Sequence, residues 1–115
     1  MLILKSLLQQ IKEQPDSLDF QQVLSIIDVY YRYTPTPFTN GAINNPAGSN
    51  EGSCRIFAFA SLYGLSEQQT LACFGKFYRD VLADPKGESH QNIRQFMQTG
   101  WQGIRFSDAV LQPIR

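Results

Sequence analysis

The sequence lacks any excess of charge: ten Lys and Arg balance ten Asp and Glu. It also lacks a run of basic residues. Duplex nucleic-acid binding draws much of its affinity from neutralised phosphates, so this chain is a poor candidate for it. A polybasic membrane anchor is excluded on the same ground. Long hydrophobic runs are missing as well. The apolar start Met1-Leu2-Ile3-Leu4 is broken by Lys5, followed by Gln9, Gln10 and Lys12, and shows no cleavage-site pattern. It is too short to span a bilayer, so a soluble, cytoplasmic chain is expected. Cysteine is scarce, with only Cys54 and Cys73. A disulfide-framed secreted domain carries more cysteines at closer spacing, and both are read as free thiols in a reducing compartment. The lone histidine, His90, and two distant cysteines cannot close a zinc shell, so neither a metal nor a cofactor is expected.

What is present suits one domain over residues 1–115. A chain of this length can bury about two-thirds of its unfolded surface, enough for a core without disulfides. Leu4, Leu7, Leu8 and Ile11 have helical spacing, and Pro15 stops that helix. Asp19 and Gln22 have the spacing of a capping box. Phe20, Val23, Leu24, Ile27, Tyr30 and Tyr31 then recur at three and four, predicting a helix to about Tyr33. Asp28, among apolar neighbours, either edges the stripe or pairs with an arginine such as Arg55 or Arg94.

Helical patterning stops at Thr34-Pro35-Thr36-Pro37. From there to Gly52 the chain is mostly Pro, Gly, Asn, Thr and Ser, which reads as one long ordered loop. Loops of this length inside a compact domain are uncommon and signal either function or an element missed in the assignment. Ser53 to Gly64 reads as a buried helix. Ser66 and Gln69 form a second capping box, opening a helix through Leu71, Phe74, Tyr78, Val81 and Leu82. Ser89 is placed to cap a last helix ending at Gly100, and Trp101 to Phe106 alternates like a short extended segment.

Several blocks along the chain resemble the HopJ family. They are Tyr33-Thr34-Pro35-Thr36-Pro37-Phe38-Thr39-Asn40-Gly41, Asn50-Glu51-Gly52-Ser53-Cys54-Arg55-Ile56-Phe57, Leu71-Ala72-Cys73-Phe74-Gly75, His90-Gln91-Asn92-Ile93-Arg94 and Gly100-Trp101-Gln102-Gly103-Ile104. The resemblance runs from about Phe20 to Phe106. It implies a type III effector-like protein of uncharacterised activity. It brings no reaction, cofactor or catalytic residue, and export follows from it only by analogy with relatives.

Two sets of residues carry candidate chemistry. Cys54 follows Gly52-Ser53 at a predicted helix start, where free amides and the helix dipole favour a thiolate. His90 would be its base, with Asn92 or Asp80 orienting the ring. The alternative is an inert buried thiol and a histidine near a cap. The second set is the loop: Asn40, Asn44, Asn45, Ser49, Asn50 and Ser53, with Arg55 after it, offer groups for a small polar ligand. The alternative is that these side chains satisfy the loop's own backbone. The loop lacks the Gly-Lys-Ser/Thr ending of a phosphate-binding P-loop. Tyr30, Tyr31, Tyr33 and Phe38 are read as packing this loop onto the second helix rather than as a stacking surface.

The expected fold is therefore mainly α: a single bundle of about five helices, one long loop and a short extended C-terminal segment. The expected function is a non-enzymatic protein-interaction or small-ligand-binding domain working through residues 34–53. The alternative is a hydrolase or transferase using Cys54 and His90. The sequence does not identify the partner or the oligomeric state.

Overall fold

Helices form where the apolar spacing is clearest, and the computed structural model describes them over residues 2–114. Helix α1 (Leu2–Glu13) buries Leu7 and Ile11, and a 3-10 turn at Pro15–Ser17 follows it. Helix α2 (Phe20–Tyr30) starts from the expected box. The Gln22 amide donates to Asp19 Oδ2 at 3.1 Å, and the Asp19 amide donates to Gln22 Oε1 at 3.3 Å. Helix α3 (Glu51–Leu62) buries Cys54 and every residue from Ile56 to Ala60, as a helix enclosed on most sides must. Helix α4 (Glu67–Ala72) starts from the Ser66–Gln69 box. Helices α5 (Lys76–Ala83) and α6 (Gln91–Thr99) complete the set.

The expectation of a mainly α bundle is overturned. Among the described residues there are six helices and also five strands, arranged in two antiparallel sheets. Strands β1 (Tyr31–Tyr33) and β5 (Leu111–Pro113) pair with Tyr33 opposite Leu111. Strands β2 (Phe38–Asn40), β3 (Ile43–Asn45) and β4 (Ile104–Phe106) form a sheet in the order β3-β2-β4. Thr39 there faces Asn44 on one side and Arg105 on the other. Each strand is three residues long. That is too short for a period of two to stand out in sequence.

The presumed loop is thus a β-hairpin with a two-residue connection, Gly41-Ala42, whose glycine has φ 56°. Backbone amides in a buried segment need partners. Here β4 supplies them from more than sixty residues away, as the Phe38–Phe106 register shows. The helix expected to reach Tyr33 ends at Tyr30, because Tyr31-Arg32-Tyr33 pairs with β5 instead. The helix expected from Ser66 through Leu82 is broken into α4 and α5 by Gly75, at φ 59°. A Cβ at Gly75 would fall 2.9 Å from the Phe20 nitrogen and 3.0 Å from the Leu18 oxygen. The N-cap of α6 is His90, not Ser89.

The core is organised around Phe57 on α3. Its ring meets Phe38 of β2, Phe74, Phe96 of α6 and Trp101, with ring centroids 4.9–6.5 Å apart. The hairpin, α3 and α6 are thereby held in one packed unit. No helix among the described residues is long and apolar enough to cross a membrane.

Candidate functional site

The first turns of α3 and α6 open onto the same cleft, a space of about 410 Å³. Asn50, Gly52 and Ser53 line it from α3, and His90, Gln91, Asn92 and Ile93 line it from α6. Phe20, Phe74 and Phe77, with Ile43 of β3, supply its apolar wall. Gly52 is required by proximity: a Cβ there would lie 2.6 Å from the Phe20 ring.

Both helices begin unusually. Asn50 (φ 52°, ψ 48°) and His90 (φ 54°, ψ 53°) are the N-caps, and both are left-handed. They are the two non-glycine residues with positive φ among those described. Such conformations cost on the order of 1 kcal/mol or more and gather at functional sites. Neither side chain caps its own helix. First-turn amides have no partner within a helix, so both helix ends keep donors and a partial positive charge toward the cleft.

The Asn50 side chain is committed elsewhere. Its Nδ2 donates to Asn45 Oδ1 at 2.7 Å. Asn92 Nδ2 donates to the same oxygen at 3.0 Å, and Asn45 Nδ2 donates back to Asn92 Oδ1 at 3.1 Å. From β2, Asn40 Nδ2 donates to Asn92 O at 2.8 Å and to Asn92 Oδ1 at 3.0 Å. Asn40, Asn45 and Asn92 are buried. Each such bond contributes about 1 kcal/mol net, and more is at stake if a partner is removed. Asn40 Oδ1 has no donor among the described residues.

His90 sits at the cleft's edge. Its ring packs on Phe77 at 5.1 Å between centroids, and Nε2 lies 3.8 Å from Asp80 Oδ2. Cys54 is not among the residues lining this cleft. Its side chain is 1% exposed, and Sγ donates to the Thr36 carbonyl at 3.7 Å. Burial is the largest influence on that thiol and pushes its pKa up to about 11. The Tyr33 hydroxyl and Arg55 act in the opposite direction without prevailing, and Glu51 adds to the rise. The thiolate-favouring environment expected at a helix start is therefore reversed by desolvation. Ser53, the chain neighbour of Cys54, lines the cleft with His90.

Arg55 points away from the cleft. It pairs with Asp28 at 2.7 Å and lies 5.3 Å over the Tyr33 ring. Tyr33 in turn donates to Glu51 Oε2 at 2.9 Å, and burial followed by that bond holds its phenol well above the ordinary range. Asn44 is exposed on β3 and faces a shallow apolar groove on the hairpin's other side. The fold thus gathers Asn40, Asn50, Ser53, His90 and Asn92 at or beside one cleft and leaves Cys54, Arg55 and Asn44 outside it. Sequence reasoning missed the bridging role of Asn45 and the aromatic wall. Phe20 and Phe77 look like core positions in sequence, and only the approach of Gly52 turns Phe20 into a cleft wall. No group of three or more His, Cys, Asp or Glu among the described residues is gathered to hold a metal ion.

Comparison with known proteins agrees in one direction. A family model described as HopJ type III effector protein matches residues 4–111. The crystal structure of the unknown-function protein VPA0580 is similar over 96% of this chain and 92% of its own, at 46% identity and a TM-score of 0.94. No curated protein matches.

Proposed function

We propose a function from one premise: this chain belongs to the HopJ type III effector protein family. The protein is a binding protein for a small polar or anionic ligand, and its working surface is the cleft between the first turns of α3 and α6. One observation carries this reading. Two helices begin with strained, left-handed, uncapped residues, and both open on the same aromatic-walled space. A single uncapped helix end is commonplace. Two that converge concentrate donors and positive potential where an acceptor group can sit. The volume of about 410 Å³ lies within the range of small-molecule sites, which combine apolar walls with a few fixed polar groups. Of the two binding readings, protein partner or small ligand, an indented space of this size favours the small ligand.

Titration of backbone amide shifts with inorganic phosphate and with benzoate tests it. Shifts confined to Gly52, Ser53, Gln91, Asn92 and Ile93 are expected. Benzoate should additionally broaden the Phe20 and Phe77 ring resonances. Shifts scattered over the surface, or none at millimolar anion, would remove the cleft as the working surface.

A further inference from the structure

The cleft has two walls that belong to helices far apart in sequence, and a single side chain touches the start of both. We propose that Asn45 is the positioning residue of the cleft. Its one amide sets the distance between the ends of α3 and α6, so that they act as one site rather than two. This rests on the binding reading above.

Asn45 is 2% exposed and does not itself line the cleft. Its Oδ1 accepts from Asn50 at 2.7 Å and from Asn92 at 3.0 Å, while its Nδ2 donates to Asn92 at 3.1 Å. Asn50 and Asn92 are, respectively, the N-cap of α3 and the second residue of α6. An asparagine at an N-cap ordinarily turns its side chain back onto its own helix. Asn50 turns to Asn45 instead, which leaves the α3 amides open. The position of Asn45 is itself fixed, since it stands opposite Phe38 in the hairpin register. Asn92 cannot rotate its amide to suit a changed partner, because its Oδ1 already accepts from Asn40. The hairpin therefore works as a ruler between two helix ends.

The substitutions Asn45→Ala and Asn45→Asp separate this role from general support of the fold. Asn45→Ala removes the contact to both helices. Asn45→Asp keeps oxygen acceptors for Asn50 and Asn92 but loses the donor and sets oxygen against Asn92 Oδ1. Asn44→Ala, an exposed neighbour on the same strand, is the control. Amide shifts and hydrogen exchange are read at Gly52, Ser53, Asn92 and Ile93 in the intact chain. In Asn45→Ala the amides of both helix ends should shift and exchange faster, and phosphate affinity should fall about fivefold or more, as for coupled sites. In Asn45→Asp only the α6 end should move, and in Asn44→Ala neither. Changes in Asn45→Ala confined to the hairpin, or movement of both ends in Asn45→Asp, would overturn the proposal. Should Asn45→Ala fail to fold, Asn45→Asp decides it. An unmodified chain that shows no response to phosphate would defeat the binding reading alone, because the exchange pattern still reports whether Asn45 spaces the helix ends.

Discussion

Cys54 shows how a residue's chemistry is decided by what surrounds it. In sequence it stands at a helix start behind Gly52 and Ser53, a setting that favours an ionised thiol. In the folded chain the same side chain is enclosed, with the Thr36 carbonyl and the Tyr33 hydroxyl beside its sulfur. Folded protein should therefore resist iodoacetamide at pH 8 and become labelled once unfolded in urea. Rapid labelling without urea would show that the thiol is reached by solvent. A pH effect follows with a definite sign. The folded thiol's pKa rises from 9.0 to about 11, so the folded state holds a proton that the unfolded state gives up between those values. Its contribution to stability is fully present below pH 9 and is lost as pH rises through about 11, on the order of 2–3 kcal/mol. Urea midpoints of the unmodified chain should fall across this window, and Cys54→Ala should flatten the fall. Equal slopes for both would assign the alkaline loss to other groups. Cys73, driven by burial from 9.0 to about 12, starts to lose its share at the same pH as Cys54 and adds to the same fall, and Tyr31, raised by burial and then by its bond to Tyr63 from 10.0 to about 12, joins one pH unit later.

At the scale of elements, the breaks matter as much as the helices. Gly75 ends the run from α4 because the chain must pass close to the backbone of Leu18 and Phe20 in the left-handed region. Gly75→Ala should lower stability by about 2 kcal/mol or more, since strain and a backbone clash add. Gly64 has nearly the same φ, 62°, but nothing within 4 Å of an added Cβ. Gly64→Ala should cost only about 1 kcal/mol, and thermal melts of the two variants would compare them. Equal losses would mean that the close approach at Gly75 carries no weight. These elements also mark the limit of what could be read beforehand. Both capping boxes were legible because a cap is a contact between residues three apart. The end of α2 and the hairpin were not, because Tyr31-Arg32-Tyr33 and Phe38-Thr39-Asn40 become strands only through partners near residues 105 and 112. For the candidate site, Asn40, Asn50, Ser53, His90 and Asn92 could be picked out as polar groups, whereas their convergence depends on Asn45 and on the hairpin. Asn45 carried no separate signal, since it reads as one asparagine among four in a polar stretch.

The whole molecule depends on α3, which runs through the centre with Phe57 touching the hairpin, α6 and Trp101. Phe57→Ala should cost about 3–5 kcal/mol, a large share of the 5–15 kcal/mol typical of a domain, as read by the urea midpoint. A loss under about 1 kcal/mol would mean the core has no such centre. The strand pairings reach far along the chain: residue 38 lies against residue 106, and residue 33 against residue 111. Chains that must close loops of that span assemble more slowly than helical bundles of equal length. The helices can gain their shape from near neighbours, but the wall contributed by Ile43 and the spacing set by Asn45 exist only once the distant strands have met. The finished cleft is accordingly a late acquisition in the life of each newly made molecule, trailing the appearance of its helical signal.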